Sequence, residues 1–354
     1  MLKLYKFESY LYLIASFSYD FTFPDLKYDN HPRFNNISEA LNIANMNNQN
    51  SPETIIIEDQ NFGSHVEHWN LLTEDPTLEV PKWLGLALNE PVMPMGLCSK
   101  ECDMDESTWL IQGPNGSAIQ LCQVIDVENN KPKAVKTAFP SFESPYQLNA
   151  SIDRIITCKT NTQAVLSLKV GSNSVVYAFD SLYSVNGHRY DKNQQYKVQL
   201  NAWAYELEKV SDHEQIIVDD PASIKHHRAL NDILSQNNGV APENLQELLD
   251  AWEPKSEDDK APVTVDFSKM VAYLYGETLG QEDEAWFQGK VVGKTQMQFM
   301  QQDYALYDVT LILEENQPAI LVRIATKDDA YKSFEIGQYI RGNIWIQANI
   351  YSIA

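Results

Sequence analysis

The sequence predicts a mainly β fold of the α+β class, with two small β-barrel-like or β-sandwich-like modules joined by a helical acidic segment. An OB-like barrel is the candidate shape for each module, and a mixed N-terminal region precedes them. The chain has 18 Tyr and seven Trp, whose broad side chains favour pleated strands. Apolar runs separated by turn residues follow Trp109, and two late strands share a residue pattern. These observations together predict the fold class.

The N-terminal region, residues 1–105, mixes helix and strand signals. Ser38 is suited to cap a helix that ends at Asn47, and the β-branched run Thr54–Ile57 predicts a strand. Residues 1–17 contain a short apolar run, but no clean small-residue cleavage site follows it. A buried strand or helix is favoured there over a signal peptide, and both interpretations stay open.

The next segment, residues 106–210, is predicted to be a β-rich module. Trp109–Gln112 and Ala118–Val127 flank a Gly-Pro-Asn-Gly turn, and Tyr196–Leu207 alternates as a long strand. Asn186-Gly187 is a typical hairpin turn. Shorter apolar runs predict further strands at Ile152–Cys158, Ala164–Val170 and Val175–Phe179.

Residues 211–262 change character and are predicted to be a helical acidic linker. Pro221–Asn237 and Pro242–Trp252 carry helical spacing. The stretch Glu206–Lys260 has 14 acidic and five basic residues, which marks a domain boundary. Residues 263–354 are predicted to form the C-terminal β-barrel-like module. Its apolar runs are Val309–Leu313, Ala319–Ile324 and Ile344–Ile353.

The two β modules resemble each other in one pattern. Gln195-Tyr196 precedes Asn201-Ala-Trp203, and Gln338-Tyr339 precedes Asn343-Ile-Trp345 with a nearly equal gap. Each pattern lies late in a run of strands. An internal duplication explains the likeness, and a chance match between two aromatic strands is the alternative.

The charge balance excludes some partners. With 49 Asp and Glu against 27 Lys and Arg, the formal net charge is −22. Such a field repels nucleic acid and anionic membranes and favours a basic protein partner. Four cysteines are few for a disulfide scaffold, so reduced thiols and a cytoplasmic location are predicted. No apolar run is long enough for a transmembrane helix, and the oligomeric state is left open.

One set of residues is compatible with a metal site. His65-x-x-His68 supplies two imidazoles, and Cys98-x-x-x-Cys102 supplies two thiols with zinc-like spacing. The order of the two pairs does not match a zinc-finger pattern, so no metal is predicted, and whether the four residues converge stays open. The sequence has no nucleophile elbow, no P-loop and no Rossmann glycine motif. No catalytic residue and no cofactor are predicted, and an enzyme is not favoured.

The function predicted is therefore a non-catalytic acidic protein that docks or neutralises a basic protein partner. An immunity protein, or an inhibitor of a toxin or nuclease, is an example. The alternatives are a hydrolase with dispersed carboxylates and a structural component with two repeated β modules. Acidic clusters would attract the partner. The predicted partner-binding residues are Glu101, Asp103, Asp105, Glu106, Asp212, Glu214, Asp219, Asp220, Glu257, Asp258 and Asp259.

Overall fold

The structure of the chain is a computed structural model. It describes residues 51–57, 65–87, 92–97, 106–112, 117–126, 131–158, 163–180, 182–237, 240–276, 281–314, 317–327 and 334–353. The predicted helix at Ser38 and the apolar run within residues 1–17 lie outside this part of the chain.

Strands dominate the described residues, as the sequence predicts. The strands are β1 (Glu53–Ile57), β2 (Val92–Leu97), β3 (Glu106–Gln112), β4 (Ser117–Asp126), β5 (Lys131–Phe142), β6 (Gln147–Cys158), β7 (Ala164–Val170), β8 (Ser174–Asp180), β9 (Gln195–Lys209), β10 (Gln215–Val218), β11 (Val263–Asp266), β12 (Ala272–Gly276), β13 (Gln281–Phe299), β14 (Gln302–Ile312), β15 (Ile320–Lys327) and β16 (Tyr339–Ile353).

Helices are short and few in this part of the chain. The α-helices are α1 (Pro76–Ala87), α2 (Tyr183–Asn186), α3 (Pro221–Gln236) and α4 (Leu245–Ala251), and the 3₁₀ segments are His65–Leu71, Gly187–Arg189 and Asp258–Lys260. No helix among the described residues has the length and apolar character that crossing a membrane requires.

The chain divides into two compact units. One, here called the barrel unit, comprises Met1–Lys209 and Val271–Ala354, and the other, the acidic unit, is Val210–Met270. The predicted linker, residues 211–262, lies inside the acidic unit. The predicted β modules, residues 106–210 and 263–354, contribute strands to one sheet of the barrel unit.

That sheet closes into two rings of five strands. Its ten strands follow the order β1-β6-β7-β8-β16-β9-β15-β14-β13-β12, with additional pairings of β6 with β9 and of β16 with β13. One ring is therefore β6-β7-β8-β16-β9, and the other is β13-β14-β15-β9-β16. Five closed strands match the size of an OB-like barrel. Because β9 and β16 belong to both rings, neither ring is complete without a strand from the other half of the chain.

The two rings are equivalent in topology. In each, a three-stranded antiparallel meander leads to a strand that pairs antiparallel with the meander's first strand. The third meander strand pairs in parallel with the last strand of the other half, β8 with β16 and β15 with β9. The strands that share the Asn-x-Trp pattern pair with each other, with Trp203 opposite Trp345. The pairing therefore adds topological equivalence to the resemblance seen in the sequence.

Alternation along β9 and β16 separates two hydrophobic clusters. Leu200 and Ala202 of β9 and Ile344 and Ile346 of β16 join the largest cluster, which draws on both rings. Trp203 and Trp345 belong to a second, aromatic-rich cluster. This second cluster also includes Trp69 of the 3₁₀ segment, Trp83 of α1, and Phe139 and Phe142 of β5. The 3₁₀ segment His65–Leu71 and α1 thereby cover the tryptophan face of the sheet.

A separate four-stranded antiparallel sheet has the order β2-β3-β4-β5. The predicted strands Trp109–Gln112 and Ala118–Val127 correspond to its β3 and β4 and are confirmed. The hairpin predicted at Asn186-Gly187 is wrong, because these residues lie in α2 and the following 3₁₀ segment. The carbonyl of Ile350 accepts a hydrogen bond from Asn186 Nδ2, so tertiary contact overrides the turn preference.

The acidic unit has its own small core. Ala229, Ile233, Leu249 and Trp252 pack between α3 and α4. Trp252 Nε1 donates a hydrogen bond to Asp232 at 3.1 Å, which fixes the indole edge. Strands β10 and β11 form a two-stranded antiparallel ribbon in the same unit.

Candidate functional site

The predicted partner-binding acids fall into two groups. Asp212, Glu214, Asp219, Asp220, Glu257, Asp258 and Asp259 lie in the acidic unit. Glu106 begins β3 of the barrel unit. Glu101, Asp103 and Asp105 lie outside the described residues. The structure thus brings most of the described candidates into one unit.

Two of these acids have structural roles. Asp220 is the N-cap of α3, and its Oδ2 accepts hydrogen bonds from the Ser223 amide and hydroxyl, both at 2.8 Å. Asp259 Oδ2 accepts from the amides of Lys255 and Ser256, both at 2.8 Å. These amide bonds hold the pKa of each carboxyl below its usual value. To bind a partner, each carboxylate would have to give up these hydrogen bonds for new ones to the partner.

The ribbon of β10 and β11 presents apolar side chains to solvent. Ile216 is 56% exposed and Ile217 is 66% exposed. Asp212 and Asp219, one on each side of β10, are also exposed, and neither forms a hydrogen bond or ion pair in the described part of the chain. Because adjacent strand residues face opposite sides, each face of the ribbon exposes one isoleucine. Exposed apolar side chains with acidic neighbours are a composition suited to protein contact.

A second constellation lies inside the barrel unit. His65 and His68 are on the 3₁₀ segment, where residues three apart lie on one face. Their rings are 5.5 Å apart, and Asp283 of β13 lies beside them. One potential ligand atom of each of these residues lies within 4.8 Å of the other two. All three are buried, at 1%, 3% and 0% exposure, and are called the histidine–aspartate cluster below.

Asp283 is held by two donors. His65 Nε2 lies 3.1 Å from Asp283 Oδ2, and Trp345 Nε1 donates to the same oxygen at 2.7 Å. Burial alone would raise the pKa of Asp283, but the charge and hydrogen bond of His65, with smaller contributions from His68 and Trp345, outweigh it. The net pKa lies below its usual value, so Asp283 is a carboxylate despite its burial.

His68 is held as a neutral imidazole. Burial, and then the neighbouring charge of His65, lower its pKa from 6.5 to about 3. The Tyr205 hydroxyl donates to Glu284 Oε1 and lies 2.9 Å from His68 Nδ1. Because that hydroxyl proton goes to the carboxylate, its oxygen accepts from Nδ1–H. The Nε2 lone pair of His68 is left facing the cluster.

Aromatic rings surround the cluster. The His68 ring stacks on Trp345 at 4.0 Å, and the His65 ring packs on Phe179 at 4.6 Å. These contacts exclude water and lower the local dielectric, which strengthens electrostatic interactions among the three groups. The predicted companion thiols, Cys98 and Cys102, lie outside the described residues.

A further buried carboxyl group, Asp180, differs from Asp283. It is 0% exposed, and burial, opposed by hydrogen bonds from Tyr190 and Leu182, raises its pKa to about 7. Tyr190 donates to Oδ2 at 2.5 Å and the Leu182 amide to Oδ1 at 2.9 Å. These bonds fasten α2 and the segment after it to the end of β8.

Comparison of the chain with protein-family models, with curated proteins and with solved structures finds no match. The candidate sites therefore rest on the geometry described above.

The sequence pointed to part of the buried cluster. His65-x-x-His68 is visible as a spacing, but Asp283 lies 218 residues from His65 and has no motif of its own. Tyr205 and Glu284 likewise come from strands that only the sheet pairing brings together. The repeated Asn-x-Trp pattern is the sequence feature that comes closest to marking this place, because its two tryptophans, Trp203 and Trp345, lie opposite each other in the sheet.

Proposed function

We propose that the chain is a non-catalytic binding protein whose acidic unit docks a basic protein partner. The observation that carries this proposal is the pair of exposed isoleucines, Ile216 and Ile217, flanked by exposed Asp212 and Asp219 on one ribbon. Apolar side chains supply the affinity of such a contact, and surrounding charges supply the rate and the selectivity of encounter.

The charge of the acidic unit supports this proposal. Val210–Met270 contains 13 acidic and five basic residues, so the unit repels other acidic surfaces. Of the basic side chains, Lys225, Lys255 and Lys260 are engaged with carboxylates of the same unit. A partner with a basic face, such as a toxin or a nuclease that an immunity protein neutralises, fits this surface, and the cytoplasm is the proposed place of encounter.

The hydrolase alternative has weaker support. It requires an accessible carboxyl group with a raised pKa. Asp180 has the raised pKa but is fully buried and bonded to Tyr190 and Leu182. Its contacts are accounted for by attachment of α2 to β8.

The proposal is tested by capture of the partner on the immobilised chain at low salt, followed by elution with rising salt. The Ile216→Ser/Ile217→Ser variant changes only exposed side chains, so it should fold normally. We expect it to lose at least about tenfold in affinity for the captured protein, because the apolar anchors are gone. The matched control is Glu243→Gln/Glu247→Gln, two exposed acids of the same unit away from the ribbon.

A basic protein that binds the wild type and the control but not the isoleucine variant supports the proposal. Equal retention by all three chains, or capture of no basic protein by the wild type, would overturn it.

A further inference from the structure

We propose that the barrel unit binds a divalent transition-metal ion, of the kind that Zn²⁺ represents, through His65, His68 and Asp283. The proposal concerns side chains of the barrel unit alone and is independent of the partner surface on the acidic unit. Two imidazoles and one carboxylate form a set of ligands that suits zinc and other first-row divalent ions.

The geometry of the cluster is close to that of a bound state. Ligands at about 2.0 Å in a tetrahedral arrangement lie about 3.3 Å from one another. His65 Nε2 and Asp283 Oδ2 are already 3.1 Å apart, and the three ligand atoms lie within 4.8 Å of one another. Release of the proton that His65 Nε2 shares with Asp283, together with side-chain rotation that moves one imidazole by roughly an ångström, would bring all three ligand atoms onto an ion.

Two atoms of the cluster supply a second, independent observation. His68 Nε2 and Asp283 Oδ1 are buried and have no hydrogen-bond partner in the described part of the chain. A buried polar atom without a partner costs free energy, and most such atoms in native proteins have one. An ion between His68 and Asp283 would satisfy the lone pairs of both atoms.

The groups behind two of the ligands, His68 and Asp283, are arranged as in metal sites. Metal-bound histidines donate their second ring N–H to a carboxylate or another acceptor, which fixes the tautomer. Here Tyr205, itself bonded to Glu284, accepts from His68 Nδ1, so Nε2 presents its lone pair. Trp345 Nε1 donates a hydrogen bond to Asp283 Oδ2 and so orients the carboxylate.

The metal would have a structural consequence. His65 and His68 belong to the 3₁₀ segment His65–Leu71, whereas Asp283 belongs to β13. An ion shared among them would fasten this segment across the aromatic-rich face of the sheet. Three protein ligands leave one coordination position for water or another donor.

The test is metal binding by the full chain after treatment with a chelator and dialysis. We expect Zn²⁺ to bind at one ion per chain. His68→Gln and Asp283→Asn should each weaken binding by more than the roughly 10- to 100-fold that loss of an outer-shell partner costs. The matched control is His226→Gln, an exposed histidine of the acidic unit, which should bind Zn²⁺ as the wild type does.

Three further measurements keep the test decisive if a ligand variant does not fold. Tyr205→Phe removes only a hydroxyl from a side chain that is 41% exposed, and it should weaken Zn²⁺ binding by about 10- to 100-fold. Co²⁺ substituted into the wild type should show the visible spectrum of nitrogen and oxygen ligands without a thiolate charge-transfer band. The Cys98→Ser/Cys102→Ser variant should retain the affinity.

The proposal is overturned if the wild type binds Zn²⁺ no more tightly than a folded His68→Gln or a Tyr205→Phe variant. It is overturned equally if Co²⁺ shows thiolate ligation or if the cysteine variant loses the ion. If the wild type and these variants bind Zn²⁺ equally, the cluster is a buried ion pair with a role in packing alone.

Discussion

At the scale of single residues, Asp180 and Asp283 show how environment decides the state of a buried carboxyl group. Both are 0% exposed. Asp283 lies beside His65 and has a lowered pKa, whereas Asp180 has only neutral donors and a pKa raised to about 7. The same side chain is therefore ionised in one place and half protonated near neutral pH in the other.

Asp180→Asn should alter the pH dependence of stability. In the wild type, the folded state binds the proton more tightly than the unfolded state, so this group stabilises at low pH. That contribution declines as pH rises from the unfolded pKa near 4 to the folded pKa of about 7. The decline is at most about 1.4 kcal/mol per pH unit, and the variant lacks it.

Urea unfolding of both chains between pH 5.5 and 8.5 checks this prediction. The free energy of unfolding of the wild type, relative to the variant, should fall up to about pH 7 and then level off. A difference that is constant, or that rises with pH, would contradict the raised pKa of Asp180.

Residue-scale prediction from the sequence has a clear boundary. The His-x-x-His spacing can be read from the sequence alone. The 3₁₀ segment then places residues three apart on one face, so the two histidines lie together. The third member, Asp283, was one of many acids, and only the β13–β16 pairing sets it beside Trp345 and the histidines. Local spacing can be predicted, but convergence across 218 residues depends on tertiary structure.

At the scale of elements, β13 pairs with three strands, which are β12, β14 and β16. Its first half pairs with β16 from Glu284 to Lys290, and its second half pairs with β14 from Val291 to Phe299. Gly289 lies at the change of partner, and a Cβ there would lie 2.1 Å from the Thr310 carbonyl oxygen. The close approach of two backbones requires glycine at this position.

Gly289→Ala should therefore destabilise the barrel unit by about 1–3 kcal/mol or more, because the added methyl group forces two strands apart. The neighbouring exposed residue supplies a matched control, and Lys290→Ala should stay within about 0.5 kcal/mol of the wild type. Thermal or urea unfolding measures both. A Gly289→Ala chain as stable as the control would show that the strands do not approach so closely.

Two adjacent acids before helix α3 have different expected roles, one in capping the helix and the other in binding the partner. Asp220 caps the helix, whereas Asp219 forms no hydrogen bond or ion pair in the described part of the chain. Asp220→Ala should cost about 1 kcal/mol of stability, the usual cost of a lost N-cap. Asp219→Ala should leave stability unchanged and weaken partner binding, more at low salt than at high salt.

Urea unfolding and partner capture of both variants check this separation. Equal losses of stability for the two variants would contradict the capping role of Asp220. Binding by Asp219→Ala that equals the wild type at low salt would remove Asp219 from the partner surface.

At the scale of the whole molecule, the sequence predicted the strands and the likeness of the two halves but not their interlocking. Apolar runs such as Ala164–Val170 match the observed strand β7 because strand patterns are local. The sharing of β9 and β16 by both rings depends on which strand edges pair, and no local sequence pattern determines that pairing. The Asn-x-Trp likeness was the one visible trace of it.

Replacement of the acidic unit should separate the two proposals. Lys209 and Ala272 are linked through the pairings of β9 with β16, β16 with β13, and β13 with β12. Three strand spacings of about 4.8 Å give at most about 14 Å, which a flexible linker of roughly eight residues spans. A chain in which this linker replaces Val210–Met270 should fold, bind Zn²⁺ and fail to bind the basic partner.

Circular dichroism, Zn²⁺ titration and partner capture report these three properties. Retained capture by the shortened chain would place the partner surface outside the acidic unit. Failure to fold would show that the barrel unit depends on the acidic unit for its stability.

Whether the acidic unit docks a basic protein is decided by capture from the native host, with the wild-type chain and the Ile216→Ser/Ile217→Ser variant side by side at low salt. The acidic unit as a docking surface predicts a basic protein on the wild type that moderate salt releases and that the variant does not retain. If both chains retain the same proteins, or the wild type retains no basic protein, the ribbon does not bind a partner and the claim fails.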